Sequence, residues 1–461
     1  MRSKHVPIFP ELFQSDDIKE LKIMREYREK YKAIDALLQK YPELFEAAHQ
    51  DLQSLCSPNP SRERESDFTT FHLFRALIVM KLENVTYRHA SLLIGFIKPL
   101  QDFCHLIKKT SINHSLLCQA HRAISSETWQ RINKLFAKRM QKEGKIDLDN
   151  IRTDTTVVET NIHYPTDSRL LWDTYRTIDR LWKKALKSGF SSILPDFRFH
   201  PKKIRKLYLE ITRFSNSKGK ERKKLVKSNF ELLITRTGEA IVKAKEIAKL
   251  LQASGNKKCV AIGTELSSFF SAMDKVVDVA RRRQAGEQVP VADKVFSIFE
   301  PHTELIQRGR RDKPVEFGHK IMITQTRQKF IADYEVFELS PSDTTLLPDI
   351  VDRHSKLYRC FLSGVAADMG FHPGKEEFED LIEECEDKVH FFAVPGRLRE
   401  FSDEKMSLYQ RWRAGIEGTI SCLKRAFHLG RLLFKGFKNF SSGVGSAIFC
   451  HNLLTVIRMD E

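Results

Sequence analysis

Two aspartates lie in segments that otherwise have the composition of β-strands. Asp154 lies within the β-branched segment 151–160, and Asp368 ends the small apolar segment 364–368, two residues before Gly370. Aspartate is disfavoured inside strands, so both positions require an explanation. Each aspartate alone is well explained as a strand-end cap or a turn former. Together, in an α/β core, they indicate a carboxylate metal site on neighbouring strands.

A third carboxylate lies on a predicted helix. Arg413, Glu417 and Lys424 are spaced by four and seven residues, which at about 100° per residue places all three on one face of the helix. An apolar flank beside that face, which could pack on the core, contains Trp412, Ile416 and Ile420. The alternative interpretation is a solvated helix in which Arg413 and Glu417 form an ordinary ion pair.

Three oxygen donors without a thiolate or a paired imidazole suit Mg²⁺ or Mn²⁺ better than zinc. Two such ions, roughly 3.5–4 Å apart, can activate a water or hydroxyl and stabilise the leaving oxygen in phosphoryl transfer. Clustered carboxylates also resist ionising together unless a cation neutralises them. Asp154, Asp368 and Glu417 would therefore suit two Mg²⁺ or Mn²⁺ ions if they lie together, while a solvated salt-bridged helix face stays the alternative for Glu417. Asp343 is a second choice for the middle carboxylate, although a turn cap is its ordinary role.

The segments that must position these residues predict an α/β core interrupted by helices. Apolar and β-branched segments predict strands over 151–160, 317–324, 330–338, 364–367 and 389–394. Helical periodicity and breaker residues predict helices over 16–38, 42–55, 68–82, 91–97, 116–138, 348–360, 378–386, 402–427 and 444–457. The 214-residue interval from Asp154 to Asp368 is too long for strand connections alone. The helical block of about 120 residues within it must therefore be an insertion.

Composition excludes several classes of protein. Apolar residues make up 41% and charged residues 30% of the 461-residue chain, which is ordinary for a soluble protein and excludes intrinsic disorder. The longest apolar runs are far shorter than the ~20 residues of a membrane span, and the N-terminus lacks the apolar core of a secretory signal. Eight cysteines without close pairs predict a reduced, cytoplasmic chain. The net charge of +17 favours a polyanionic partner.

In this order, Asp154, Asp368 and Glu417 resemble the DDE triad of bacterial insertion-sequence transposases. The helix resembles their Tyr–two–Arg–three–Glu–six–Lys signature, except that the expected Tyr falls on Gln410. Similar segments, which resemble the ISNCY group of these enzymes, are 153–160, 164–171, 297–304, 314–320 and, around the second carboxylate, 367–371. The helices over 68–140 are similar to the domain that precedes the catalytic core. The resemblance covers most of residues 65–458.

The resemblance implies an α/β ribonuclease H-like catalytic core, with an all-α N-terminal domain and an all-α insertion between the first and second core strands. The first and fourth strands of that fold are neighbours, which would bring Asp154 and Asp368 together. The expected segments are a charged helical N-terminus (1–65), a helical DNA-binding or dimerisation domain (66–146), the first part of the core (147–167), a basic helical insertion (168–300), and the rest of the core with a C-terminal helix (301–461).

The implied activity is Mg²⁺-dependent cleavage at the ends of a mobile element, followed by attack of the freed 3′-hydroxyl on target DNA. Asp154, Asp368 and Glu417 would be catalytic, while Arg413 and Lys424 would position Glu417 or DNA phosphates. The partners would be double-stranded terminal inverted repeats and target DNA, bound by a dimer or larger assembly in the bacterial cytoplasm at the nucleoid. A metal-dependent nuclease and a non-catalytic, transposase-derived DNA-binding protein remain alternatives, and the intact triad argues against the latter.

Three basic clusters in the predicted insertion are further candidates for DNA contacts. They comprise residues 202–206, 218–224 and 281–283. We expect the first cluster to contact phosphates, because Lys and Arg side chains release counterions when they neutralise DNA. A solvated charged face is the alternative. The residues in question are Lys202, Lys203, Arg205 and Lys206.

Overall fold

A computed structural model describes residues 21–55, 68–106, 112–188, 197–307, 313–396 and 404–460. Contacts within the chain divide it into two units. Unit 1 comprises Met1–Thr160 and Gly318–Glu461, and unit 2 comprises Asn161–Phe317. The fold is mixed α/β, with one mixed sheet and extensive helical regions.

Among the described residues, seven helices form the N-terminal part of unit 1. They are α1 (Lys22–Lys40), α2 (Glu43–Gln53), α3 (Thr70–Leu82), α4 (Tyr87–Phe96), α5 (Lys98–Phe103), α6 (His114–Ala123) and α7 (Ser126–Lys142). Amphipathic periodicity correctly predicted α1 from Tyr31 onward, since Tyr31, Ile34 and Leu38 are buried. Leu21 and Ile23, included in the same pattern, are exposed. Residues 16–20 of that prediction lie outside the described residues.

Two helix boundaries in this region differ from the prediction. The single helix expected over 116–138 is two helices, α6 and α7, because the Ser125 side chain accepts a hydrogen bond from the Thr128 N–H at 3.2 Å and starts a new helix. The segment after Ile97, expected to be irregular, forms α5. Pro99 lies in its first turn, where the missing N–H of proline costs no hydrogen bond.

Strand β1 (Asn150–Thr160) leads into unit 2, which is mainly helical. The described part of the unit contains five helices: α8 (Asp167–Lys187), α9 (Pro201–Phe214), α10 (Lys220–Ala253), α11 (Lys257–Ser267) and α12 (Phe270–Gln284). Their apolar faces form a core of their own, which includes Ile178, Leu233 and Met273. A four-residue strand, β2 (Glu304–Gln307), was not predicted from the sequence.

The sheet of unit 1 surrounds β1. Its other strands are β3 (Val315–Thr326), β4 (Ile331–Val336), β5 (Gly364–Ala366), β6 (Phe392–Ala393) and β7 (Arg431–Leu432), and the first three residues of β3 fall in unit 2. Within unit 1 the order is β4-β3-β1-β5-β6, and β2 of unit 2 also pairs with β3. β3 runs antiparallel to β1 and β4, β5 runs parallel to β1 and β6, and β7 is a short parallel neighbour of β1. The five predicted strands correspond to β1 and β3–β6, although the one predicted over 389–394 is only Phe392–Ala393, and β2 and β7 were not predicted.

In the part of the chain that the structure describes, four further helices belong to unit 1: α13 (Leu346–Tyr358), α14 (Lys375–Glu384), α15 (Glu404–Ala426) and α16 (Phe437–Ile457). Among the described helices, α16 has the length and apolar composition of a membrane span, but 83% of its most apolar window is buried inside the protein. Val444, Ile448 and Phe449 of α16 belong to the core shared with the N-terminal helices. This helix is therefore explained by packing.

Candidate functional site

The parallel pairing of β1 with β5 places Asp154, in the middle of the central strand β1, beside Asp368, just past the C-terminal end of β5. Arg152 is level with Ala366 at the last paired position, and two further residues along each chain lead to the two aspartates. Asp368 caps a 3-10 turn over Met369–Phe371, and its Oδ1 accepts a hydrogen bond from the Gly370 N–H at 2.8 Å. The predicted pairing of these aspartates therefore agrees with their positions.

The electrostatics of Asp154 reflect this position. Burial and the negative charge of Asp368 raise the pKa of Asp154 to about 6, against the opposing effects of the Thr155 N–H and the Arg413 guanidinium. The Thr155 N–H donates to Asp154 Oδ1 at 2.7 Å. A carboxylate whose ionisation is opposed by a neighbouring carboxylate is stabilised by a nearby cation.

Helix α15 places Arg413 and Glu417 near the two aspartates. One guanidinium nitrogen of Arg413 lies 3.6 Å from Asp154 Oδ2, and another lies 3.5 Å from Glu417 Oε1. The Arg413 side chain is 15% exposed, whereas that of Glu417 is 68% exposed. Both residues lie on the predicted face of the helix. Lys424 lies in the last turn of α15, about 10 Å farther along the helix axis than Glu417.

The donor set suits a hard divalent cation, but the three carboxylates do not converge. Within the described ranges, no three His, Cys, Asp or Glu side chains lie close enough together to form a metal-binding group. Asp154 and Asp368 offer carboxylate oxygens beside each other. The Arg413 guanidinium, and not a shared cation site, lies between Asp154 and Glu417. Oxygen donors of this kind fit Mg²⁺ or Mn²⁺.

A buried polar network holds α15 against the sheet, and sequence reasoning missed it. Arg152 donates to Gln325 Oε1 from Nε at 2.9 Å, and it also donates to the Trp412 carbonyl. Gln325 in turn donates to Thr419 Oγ1 at 2.8 Å. Burial lowers the pKa of Arg152 to about 10. A possible signal was the arginine itself, because a charged residue inside a predicted strand requires a buried partner.

Gln410, at the signature's expected Tyr position, has a structural role of its own. Its side-chain amide donates to the carbonyls of Ala367 at 2.9 Å and Ala393 at 2.5 Å, just beyond β5 and at the end of β6. The neighbouring Tyr409 hydroxyl donates to Asn150 Oδ1 at 2.6 Å. The helix is therefore fastened to the backbone one residue before Asp368.

Asp343, the second choice for the middle carboxylate, lies on the other face of the sheet. Its carboxylate accepts hydrogen bonds from the Thr155 hydroxyl at 3.1 Å and from Lys320 Nζ at 2.9 Å. Successive side chains of a strand point to opposite faces, so a partner of Thr155 lies across the sheet from the Asp154 side chain. The expected turn-capping role is wrong, since the 3-10 turn that starts at Asp343 has Ser342 at its N-cap.

The basic clusters belong to unit 2 and differ from one another. Lys202, Lys203, Arg205 and Lys206 are exposed on α9, while Ile204 between them is buried. The third cluster is largely neutralised. Arg282 pairs with Glu287 at 2.6 Å, and Arg283 pairs with Asp167 at 2.6 Å.

Comparisons of the chain with protein-family models, with curated proteins and with solved structures found no match.

Proposed function

We propose that this protein is a DDE-type DNA transposase that cleaves DNA at the ends of a mobile element and joins the freed 3′-hydroxyl to target DNA. The observation that carries the proposal is that Asp154 and Asp368 lie on the neighbouring strands β1 and β5, and that Arg413 contacts both Asp154 and Glu417. The three residues come from distant parts of the chain and match the triad in order and in element type.

The sheet supports a ribonuclease H-like core as part of this proposal. Once β2 of unit 2 is set aside, the chain order of the described strands is β1, β3, β4, β5, β6 and β7, so the fourth strand is β5, and it lies beside β1. Neighbouring first and fourth strands are what that fold requires. The five helices of unit 2 follow β1 and precede β3, which is the position proposed for the insertion.

In the proposed reaction, Asp154 and Asp368 would hold Mg²⁺ or Mn²⁺, and Glu417, which Arg413 separates from Asp154 in this structure, would be the third carboxylate of the triad. The metal would supply charge neutralisation and activation of a water or hydroxyl for attack on phosphorus. Arg413 already neutralises Asp154 and Glu417, so it is suited to hold these carboxylates in place or to contact a DNA phosphate. Lys424, farther along the same helix, would contact the DNA backbone.

The decisive experiment supplies the protein with duplexes that carry the ends of its own element, a target plasmid and Mg²⁺, and sequences the products. A transposase yields 3′-end cleavage and joined products, and Asp154→Asn yields neither while still binding the ends. Cleavage without joining would indicate the nuclease instead. Binding without either reaction, in wild-type protein with Mg²⁺ or Mn²⁺, would indicate a DNA-binding protein only.

Coordinated strand transfer requires that the two ends of the element be held together, and symmetric assembly is the usual way to do this. We therefore propose a dimer or larger assembly on DNA. Sedimentation of the protein alone and with paired-end DNA tests this part of the proposal. A monomer in both samples would contradict it.

A further inference from the structure

One face of α9 combines four cationic side chains with an exposed leucine. The residues, which we call the α9 stripe, are Lys202, Arg205, Lys206, Leu209 and Arg213. At 100° per residue they lie within an arc of about 100°. The opposite face carries Ile204 and Ile211, both buried. The stripe, together with Glu210 and Phe214, lines a shallow groove on the surface of unit 2.

The chain around this groove is strongly basic. Residues 198–227 contain twelve Lys and Arg residues and two acidic residues, Glu210 and Glu221. Lys206 approaches Glu210 only to 3.9 Å, and within the described part of the chain Lys202 and Arg205 have no ion pair. Glu210 is the one acidic residue among the described residues that line the groove, so the groove keeps a large excess of positive charge.

The first turn of α10 adds cations in a place where they do not stabilise the helix. Lys220, Arg222 and Lys223 lie near its N-terminus, and all three are exposed. Positive charges there oppose the helix dipole and therefore destabilise the helix. Helix stability therefore does not explain this cluster, whereas an anionic ligand would.

The apolar side chains in the groove are not explained by packing. Leu209 is 49% exposed. Phe214 is half-buried, and among the described residues neither it nor Leu209 belongs to the apolar core of unit 2 or to the residues packed against it. The guanidinium groups of Arg213 and Arg222 lie 5.5 and 5.4 Å from the centre of the Phe214 ring. This joins the α9 stripe to the basic start of α10.

We infer that the α9 stripe, with Phe214 and the start of α10, is a binding site for single-stranded DNA. A duplex presents phosphates to a flat surface and hides the faces of its bases, so it would use the cations but not Leu209 or Phe214. A single strand exposes both its phosphates and its base faces. Cations that follow the backbone and side chains on which bases stack are the usual composition of such a site.

This inference extends the proposed function but does not depend on the three carboxylates. Strand cleavage and joining produce single-stranded segments next to the cut ends, and a site of this kind would hold one of them. The binding can be measured without metal, so it can succeed or fail independently of the cleavage reaction.

The test measures fluorescence anisotropy of the full-length protein with a labelled oligothymidine and with a duplex of the same length, in EDTA. The double variant Leu209→Ala/Phe214→Ala is expected to raise the Kd for the single strand roughly fivefold to a hundredfold, from about 1–3 kcal/mol per stacked base. The Kd for the duplex should change less than about twofold. The matched control is Leu250→Ala, a leucine of α10 that is 39% exposed and outside the groove.

Phe214→Trp is the control for misfolding of the double variant. It keeps an aromatic surface at this position and should retain single-strand binding. The inference is overturned if the double variant binds the single strand as well as wild type does. It is also overturned if the single strand and the duplex are weakened equally, since that result would mean a general basic surface.

Discussion

Arg152 of β1 and Gln325 of β3 lie directly opposite each other in the sheet, and Arg152 donates two hydrogen bonds to the same oxygen of Gln325, at 2.9 and 2.6 Å. Both side chains are buried. The Gln325 side-chain amide in turn donates a hydrogen bond to Thr419 Oγ1 of α15 at 2.8 Å. The strand that carries Asp154 and the helix that carries Glu417 are therefore joined by buried hydrogen bonds, and leaving one such group unpaired costs about 1–3 kcal/mol.

Gly415 tests whether this connection positions α15. A Cβ atom at Gly415 would lie 2.5 Å from an Nη atom of Arg152, and that guanidinium cannot move away without losing its hydrogen bonds. We expect Gly415→Ala to lower the free energy of unfolding by about 1–3 kcal/mol and to reduce cleavage by displacing Glu417. Urea denaturation and the cleavage assay measure the two effects.

Gly418, one turn along the same helix, is the matched control. A Cβ at Gly418 would meet nothing within 4 Å among the described residues. Gly418→Ala should therefore leave cleavage intact and stabilise the protein by up to about 1 kcal/mol, the usual gain for alanine over glycine in a helix. Equal losses in the two variants would contradict a specific role of the Arg152 contact.

The sequence predicted the parts of the site that depend on local pattern. Asp154 was identified because an aspartate is unusual in a strand, and the shared face of Arg413 and Glu417 followed from helical spacing. The Arg152–Gln325 pair could not be predicted in this way, because its members are 173 residues apart and only the strand register brings them together. The short strand β7 was missed because two residues have no periodicity.

The spacing of residues along a helix also could not predict how exposed each side chain is. The helical pattern places Glu417 and Arg413 on the same face, but the packing of α15 decides that Arg413 is the more buried of the two. The same limit applies to Asp343, whose position in the chain is compatible with either face of the sheet until the pairing of β1 with β3 is known.

Asp368→Asn and Glu417→Gln are each expected to abolish strand cleavage and to leave DNA binding within about twofold of wild type. Each substitution removes a charge that would bind metal and changes the side-chain volume little. Asp343→Asn is the control, since Asp343 pairs with Lys320 across the sheet from Asp154. Gel assays of cleavage and anisotropy of binding distinguish the two properties, and near wild-type cleavage by Glu417→Gln would remove that residue from the site.

His354 predicts a dependence of stability on pH. Its Nε2–H donates to the Leu148 carbonyl at 2.8 Å, and burial lowers the pKa of His354 from 6.5 to about 4. Below pH 6.5 the unfolded chain takes up a proton that the folded protein does not, so stability falls as pH decreases from 6.5 toward 4. Between pH 7 and pH 5 this residue should account for about 2 kcal/mol of the loss.

Urea denaturation at the two pH values measures that loss, and His354→Gln is the comparison. Glutamine keeps an N–H donor for the Leu148 carbonyl but does not titrate. The variant should therefore lose about 2 kcal/mol less than wild type between pH 7 and pH 5. An identical loss in both proteins would mean that His354 is protonated to the same extent in the folded and unfolded states.

The exposed cations of α9 predict a uniform effect on DNA affinity. Replacing Lys202, Lys203, Arg205 and Lys206 with alanine should weaken binding to all DNA sequences alike, because phosphate contacts carry no sequence information. The slope of log affinity against log salt should become shallower by roughly 0.9 for each phosphate that the variant no longer neutralises. Titrations at several salt concentrations with specific and unrelated duplexes measure both quantities.

A matched variant removes the same formal charge elsewhere in unit 2 by replacing four exposed lysines, Lys243, Lys249, Lys257 and Lys258, with alanine. If net charge alone attracts DNA, the two variants will lose affinity equally. If α9 contacts the phosphates, only the α9 variant will change the salt slope, because counterion release depends on charges that touch the backbone. An unchanged slope in the α9 variant would mean that its cations face solvent, and the DNA contacts would then have to come from the start of α10, the N-terminal helices or the rim of the sheet around Asp154.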